Sequence, residues 1–356
     1  VTPHLAKIKA VGKEGAGNIE AAKAWKELTK NGPDVLIDIL AAFDGTNPVA
    51  VNYLRSAVET IAERTIAGNK PLPAAKLEAF VKDTKRHGGA RKVAFDYLVR
   101  VDPTARARLL PAMLDDPGQE LRREALAVSL ETAQKVFDTG DKAAAITAYQ
   151  KAIQFARDRD QLLLIAKRLD ALDVKIDLTK HLGFVTHWML IGPFDNRGGK
   201  GYATVFAPEK GIDLKAKLAG KDGKQIGWVE HVTDAQFGMV DLNKVFGDLK
   251  GATAYALAVV YSEKERAVEL RAGSNNAVVC YLNSQKVFGR EEYHHGIQMD
   301  QHAGRGVLKA GRNEILVKVC QNEQTEAWAA LWSFQLRVCD DLGARVPVTV
   351  DFAKGK

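Results

Sequence analysis

The 356-residue chain carries 51 Lys+Arg against 44 Asp+Glu, a formal net charge of +7, and is 46% hydrophobic and 27% charged. That is the balance of a folded rather than a disordered chain, and the length exceeds a usual single core, so two domains are expected. No apolar run reaches the roughly 18 residues of a helical membrane span, and basic residues interleave with acidic ones, as in Arg157-Asp158-Arg159-Asp160, which argues against a nucleic-acid groove.

From about residue 17 to 178 the pattern is helical and often interrupted. Ala24, Trp25 and Leu28 fall at helical spacing before Asn31-Gly32-Pro33 stops the run. Asp34 is expected to cap a short helix from Val35 to Phe43, and Asn47-Pro48 to start the next with a capping Asn and a first-turn Pro. There Val51, Leu54, Val58, Ile61 and Ala62 form one apolar stripe, while Arg55, Glu59 and Glu63 face away. Further helices are expected around Leu77–Val81 and Val93–Leu98, then over Ala105–Leu114, Leu121–Phe137, Ala143–Ala156 and Gln161–Leu172. None is long enough to be stable alone, so each must bury its apolar face on a neighbour, as in a solenoid.

Past Asp177 a period of two replaces the helical period. Strands are expected within Phe184–Ile191, Ile226–Val232, Ala254–Tyr261, Ala267–Arg271, Ala277–Leu282, Glu314–Cys320, Trp328–Val338 and Val346–Val350, with a helical turn over Asp241–Phe246. So many strands without long intervening helices predict an antiparallel β-sandwich. The expected domains are 1–178, a helical repeat, and 184–353, the sandwich. The link from Lys175 to Gly183 has no Pro-rich or Ser-rich spacer, so the halves are expected to pack together. Cys280, Cys320 and Cys339 show no metal-ligand spacing and read as small buried hydrophobes, with one disulfide left open.

Leu109-Leu110-Pro111, Asp115-Asp116-Pro117 and Leu121-Arg122-Arg123-Glu124-Ala125 resemble a HEAT-type unit, in which an Asp-Pro turn joins paired helices. Gly140-Asp141-Lys142-Ala143-Ala144-Ala145 with Tyr149, Ala152 and Ile153 is similar to a tetratricopeptide unit. Over residues 186 to 340, Trp188-Met189-Leu190-Ile191-Gly192-Pro193-Phe194-Asp195-Asn196, Gly273-Ser274-Asn275-Asn276, Tyr281-Leu282-Asn283 and the run Leu308 to Val319 resemble galactose-binding-type jelly rolls of exported bacterial proteins. The resemblance implies glycan binding and an exported, cell-envelope or periplasmic place; a cytoplasmic one stays open.

The most specific segment also has a local explanation. Gly311 permits a turn at positive φ, Asn313 tolerates the left-handed region, and Ile315, Val317 and Val319 share one strand face opposite Leu316 and Lys318. Two departures weaken the implied sugar or Ca²⁺ loop. Asn275-Asn276-Ala277 stands where many such domains carry two carboxylates, and Asn283-Ser284 is less suited than Asn-Gly to a type I′ turn.

Tyr293, His294 and His295 with Asp300 and His302 are the nearest approach to a metal set, yet adjacent histidines on an extended loop diverge, and a polar loop is expected instead. Glu291-Glu292 diverge likewise, and Arg197-Gly198-Gly199-Lys200-Gly201 lacks the following helix that a phosphate cradle needs. Trp332 alternates with Phe334 and Leu336 and reads as core.

The ligand-binding candidates are Tyr202, Asn275, Asn276, Asn283, Arg290, Tyr293 and Trp328, with no catalytic residue, metal or cofactor expected. The function expected is non-catalytic: helical repeats for protein contact and a jelly roll for glycan or envelope polymer. A structural assembly subunit with a degenerate sandwich is the alternative. An enzyme with a site at the domain interface is the lesser one.

Overall fold

The computed structural model describes residues 1–352, and the chain divides into two compact units, Val1–Gln161 and Leu162–Lys356. An all-helical part is followed by antiparallel β-sheets, as the change of periodicity predicts. The division falls inside a helix, ahead of the texture change at 178–184. Phe237 N donates to Thr179 Oγ1 (2.9 Å) and Arg337 donates to the Leu182 carbonyl (3.4 Å), which ties the residues before the first long strand to the sheets. Residue 353, the expected end of the β domain, lies outside the described residues.

The helices are α1 (Thr2–Lys9), α2 (Asn18–Leu28), α3 (Leu36–Ala41), α4 (Pro48–Ala67), α5 (Ala74–Lys82), α6 (Gly88–Val101), α7 (Ala105–Leu109), α8 (Gln119–Asp138), α9 (Lys142–Ile153), α10 (Arg159–Asp170) and α11 (Leu178–Leu182). α1 precedes the region where the periodicity is visible. Asn47 caps α4 as expected, accepting from Ala50 N at 3.0 Å, whereas Asp34 sits inside a 3-10 turn and makes no side-chain cap. Successive helices pack in pairs around one core that includes Leu28, Phe43, Leu54, Ile61, Phe95 and Leu121.

The Asp-Pro turn before α8 is held by a buried ion pair. Arg91 donates through Nη1 and Nη2 to Asp116 (2.6 and 2.7 Å) and through Nε to the Val81 carbonyl (2.8 Å), while Asp116 also accepts from Gly118 N at 2.7 Å. Such a pair offsets its desolvation only when further hydrogen bonds support it, which the Val81 carbonyl and Gly118 N supply here. A Cβ on Gly88 would lie 2.9 Å from Gly118 Cα, so glycine is needed where α6 meets this turn.

The strands are β1 (His187–Asp195), β2 (Leu218–Ala219), β3 (Gln225–Ile226), β4 (Val229–Val232), β5 (Val240–Asp241), β6 (Ala252–Ser262), β7 (Arg266–Ser274), β8 (Ala277–Leu282), β9 (Gln285–Arg290), β10 (His302–Leu308), β11 (Gly311–Gln321), β12 (Ser333–Cys339) and β13 (Thr349–Val350). Among the described residues the larger sheet runs β4-β1-β6-β11-β8-β9 with β13 also on β6, the smaller runs β10-β7-β12-β5, and β2 and β3 make a ribbon. Both sheets contribute to one core containing Trp188, Val260, Leu270, Val317, Trp332 and Phe334, which makes this unit a sandwich.

The outer face of the larger sheet is covered too. Ile191, Tyr255, Leu257 and Leu316 pack there under Phe206, Ile212, Leu214, Leu218 and Trp228 from the connection between β1 and β4. Alternation along β11 follows the expected faces, Ile315, Val317 and Val319 pointing between the sheets and Leu316 into the outer layer.

Several expectations change. β9 and β10 were not legible as strands, and β12 begins at Ser333, leaving Trp328 in a 3-10 turn, Ala327–Ala329. Gly311 does take positive φ, but Asn313 does not; buried, it bridges the turn by accepting from Lys309 N and donating to the Lys309 and Gly311 carbonyls. Asn283 (φ 50°) and Ser284 (φ 66°) both enter the left-handed region, so the two-residue turn forms without glycine. Asn283 accepts from Glu314 N (3.0 Å) and donates to Asn313 Oδ1 (2.9 Å), contacts that hold it there. All three cysteines are buried and free, so no disulfide joins them.

Candidate functional site

Strand register brings the ends of β1, β7, β9 and β11 and the starts of β6, β8, β10 and β12 to one end of the sandwich. Three connections there are long, the segment after Asp195, the loop 291–301 and the loop 322–332, beside the two-residue Asn275-Asn276 junction of β7 and β8. The opposite end carries tight turns such as Asn283-Ser284 and Lys309–Gly311. Asn275, Asn276, Arg290, Tyr293 and Trp328 lie at the long-loop end, Tyr202 lies on its flank, and Asn283 lies at the other end.

Asn275 and Asn276 face inward. Asn275 Nδ2 donates to the His295 carbonyl (3.3 Å) and its Oδ1 accepts from Ser333 Oγ, while Asn276 Nδ2 donates to the Leu331 carbonyl (2.7 Å) and its Oδ1 accepts from His294 N (3.3 Å). The two side chains are 3% and 0% exposed, so they tie loops 291–301 and 322–332 together and are not presented to solvent.

What those loops present is a row of rings. Trp328, 62% exposed, stands edge-on to His294 with centroids 5.6 Å apart, and His294 lies 6.2 Å from Tyr293. His294 Nε2 bonds Asn322 Oδ1, and the Tyr293 hydroxyl accepts from Asn196 Nδ2 at 3.3 Å, which fixes both rings. Burial pushes the Tyr293 hydroxyl up to about 12 against the pull of the Asn196 amide, so it stays a neutral hydrogen-bonding phenol. Leu331, 61% exposed, adds a second apolar group to the Trp328 loop.

Tyr202 lies against β9, where a Cβ on Gly289 would come 2.7 Å from its hydroxyl; Lys286 Nζ is 5.9 Å from its ring centre. Burial first, then the Glu291 charge, raises its hydroxyl above the ordinary range. Arg290 is exposed and donates to the Gly289 carbonyl at 2.8 Å. One exposed and three half-buried rings flanked by guanidinium, ammonium and carboxylate groups suit a ligand with both apolar faces and hydroxyls.

Asn196, Asn322, Leu331 and Glu209 were not among the ligand-binding candidates. A physical signal for Glu209 is its partner Lys318, a lysine on a strand face that otherwise packs apolar side chains. Lys318, 1% exposed, donates to Glu209 (3.0 Å) and to the carbonyls of Tyr202 (3.0 Å) and Thr204 (2.7 Å). The Tyr255 hydroxyl donates to Glu209 Oε1 and that of Tyr281 to Oε2. Burial pushes the Glu209 carboxyl up, but these hydroxyls and the Lys318 ammonium outweigh it and hold it below its usual range. The cluster clamps the covering segment to the larger sheet.

Among the described residues no group of three or more His, Cys, Asp or Glu is placed to hold a metal ion. Asp300 is instead engaged by Arg337, whose Nε donates to it at 2.6 Å, and by Arg271 at 3.1 Å. Burial raises the thiols of Cys320 and Cys339 to about 11, which suits inert core residues.

No family model matches the chain, and no curated protein matches it. Distant solved structures share parts of it. They include an anti-sigma factor domain-containing protein (TM-score 0.26, 12% identity, 46% of this chain and 48% of that one). An uncultured Clostridium sp. β-glucuronidase (0.26, 11%, 44% and 28%) and a Kluyveromyces marxianus β-glucosidase (0.24, 14%, 31% and 14%) match comparably. The chain spans about half or less of the length of each.

Proposed function

We propose that this is a non-catalytic binding protein whose sandwich, a jelly roll of galactose-binding type, holds a glycan or envelope polymer at its long-loop end. Its helical unit, with HEAT-like and tetratricopeptide-like segments, serves protein contact, and the reading implies an exported or envelope-associated chain. One observation carries it: Trp328 stands open beside His294 and Tyr293 on loops whose backbones are pinned by buried Asn275 and Asn276. An exposed ring held beside two half-buried ones is a surface on which a sugar ring can stack, at about 1 kcal/mol per ring beyond burial.

The test is retention on a panel of soluble neutral and acidic polysaccharides. The wild-type chain is retained by at least one, and Trp328→Ala and Tyr293→Ala weaken that retention several-fold while Asn283→Ala leaves it unchanged. Failure to bind any polymer removes the reading.

A second reading has its own support. Leu331 is exposed on the same loop as Trp328, and an aliphatic-aromatic pair suits a protein surface as well as a sugar. On this reading the chain is an assembly subunit. Native mass measurement and pull-down from the source lysate then find a stoichiometric partner, and a solitary monomer counts against it.

A further inference from the structure

Loop 291–301 carries Tyr293 and His294, and at its base Gln301 has a single consistent orientation. Its Oε1 accepts from Ser274 N at 3.2 Å and its Nε2 donates to the Gly296 carbonyl at 3.2 Å. That same Nε2 lies 2.7 Å from His295 Nδ1. A donor at this distance needs a lone pair opposite it, so His295 Nδ1 is unprotonated and the ring proton sits on Nε2. His295 Nε2 is itself buried, with no hydrogen-bond partner among the described residues.

Other titratable groups lie close to this ring. The His302 ring, 6.2 Å from that of His295, is buried, and its Nε2 also has no partner among the described residues. Burial first, then the neighbouring His295 and Arg290, hold His302 below its ordinary range against a weaker pull from Glu292. Asp300, next to Gln301, is already committed to Arg337 and Arg271. His294 is built the other way: Asn322 Oδ1 accepts from Gln324 N (3.0 Å) and so also accepts from His294 Nε2–H, a bond that a proton arriving on Nδ1 leaves intact.

We infer that His295 is a proton-sensitive latch on the loop that carries Tyr293 and His294: neutral, it holds the loop through Gln301, and protonated, it releases it. A proton from solvent takes up the Nδ1 lone pair, so Nδ1–H then faces the Gln301 Nε2–H. Two donors cannot share that contact, and the Gly296 carbonyl, 3.4 Å from Nδ1, becomes the remaining acceptor. The Gln301 tie is therefore present while His295 is neutral and lost once it is charged, leaving the loop held by the bonds of Asn275 and Asn276 to the His295 and His294 backbones. The consequence for ligand rests on the reading that the long-loop end is the binding site.

Hydrogen exchange on the full chain, corrected for the intrinsic pH dependence, tests the latch without a ligand. Exchange of amides 292–299 is expected to rise about tenfold on going from about pH 7.5 to about pH 5.5. Gln301→Glu reverses the trend, because a carboxylate accepts Nδ1–H from the charged ring, and its loop becomes better protected as pH falls. Wild-type protection that does not change over this range overturns the latch, as does Gln301→Glu behaving like wild type. The polysaccharide panel at both pH values separates the two ideas. Exchange that rises with no polymer retained at either pH sinks the binding reading and leaves the latch standing. Polymer held equally at both pH values while exchange rises overturns the latch's control of binding.

Discussion

The two ends of the sandwich solve one problem differently. At the short-turn end the bonds stay between adjacent turns: Asn283 bonds Asn313, and Asn313 bonds the backbone of its own turn. At the long-loop end, bonds within a loop, such as that of Gln301 to Gly296, are joined by bonds that cross between loops. Asn275 and Asn276 leave their own strand junction to bond His295 and Leu331 on two other loops, and Lys318 reaches the carbonyls of Tyr202 and Thr204. Buried polar side chains there are the internal scaffolding that lets other side chains stand exposed. A polar residue at a candidate site is thus not evidence of ligand contact until its burial is known.

The comparison can be broken at several points. Lys318→Met should have the largest effect, about 3–5 kcal/mol, because Glu209 keeps its charge in a buried site without its ammonium partner. Urea unfolding checks this, and a loss below about 1 kcal/mol would mean that the clamp is not what holds the covering segment. Asn276→Ala and Asn313→Ala should each cost about 2–3 kcal/mol. Only Asn276→Ala should also raise amide exchange in loops 291–301 and 322–332; equal loop exchange in both variants would erase the distinction between the ends.

Smaller effects sharpen it. Ser284→Gly should stabilise by about 0.5–1 kcal/mol, since Ser284 holds φ 66° where a Cβ is disfavoured, and thermal unfolding reads the gain. Trp328→Ala should leave stability within about 0.5 kcal/mol while altering retention on polysaccharide. A large stability loss there would make Trp328 a packing residue.

Much of the fold is legible in the residues because the change from a 3.6 to a 2.0 period is physical: it decides which side chains share a face. β10 escaped because its inward face reads His302, Gly304, Gly306, Leu308. A Cβ on Gly304 would lie 2.7 Å from the Val287 carbonyl oxygen, so close packing against the other sheet demands glycine there, and with Gly306 facing the Leu282 side chain the alternation is erased. At the candidate site Trp328 stood among the ligand-binding candidates, but the alternation placed it at the start of a strand, so its exposure in the turn before β12 was only half legible. The inward turn of Asn275 and Asn276 was not legible, since it depends on carbonyls 20 and 55 residues away in sequence.

The layer over the larger sheet has a consequence for the shape of anything bound. With Phe206, Ile212, Leu214 and Trp228 lying across that sheet, a long fibre has no bare strand surface there along which to stretch. On the binding reading, that layer takes one sheet face away as a platform and leaves the Trp328 loop as the place where a ligand would be met.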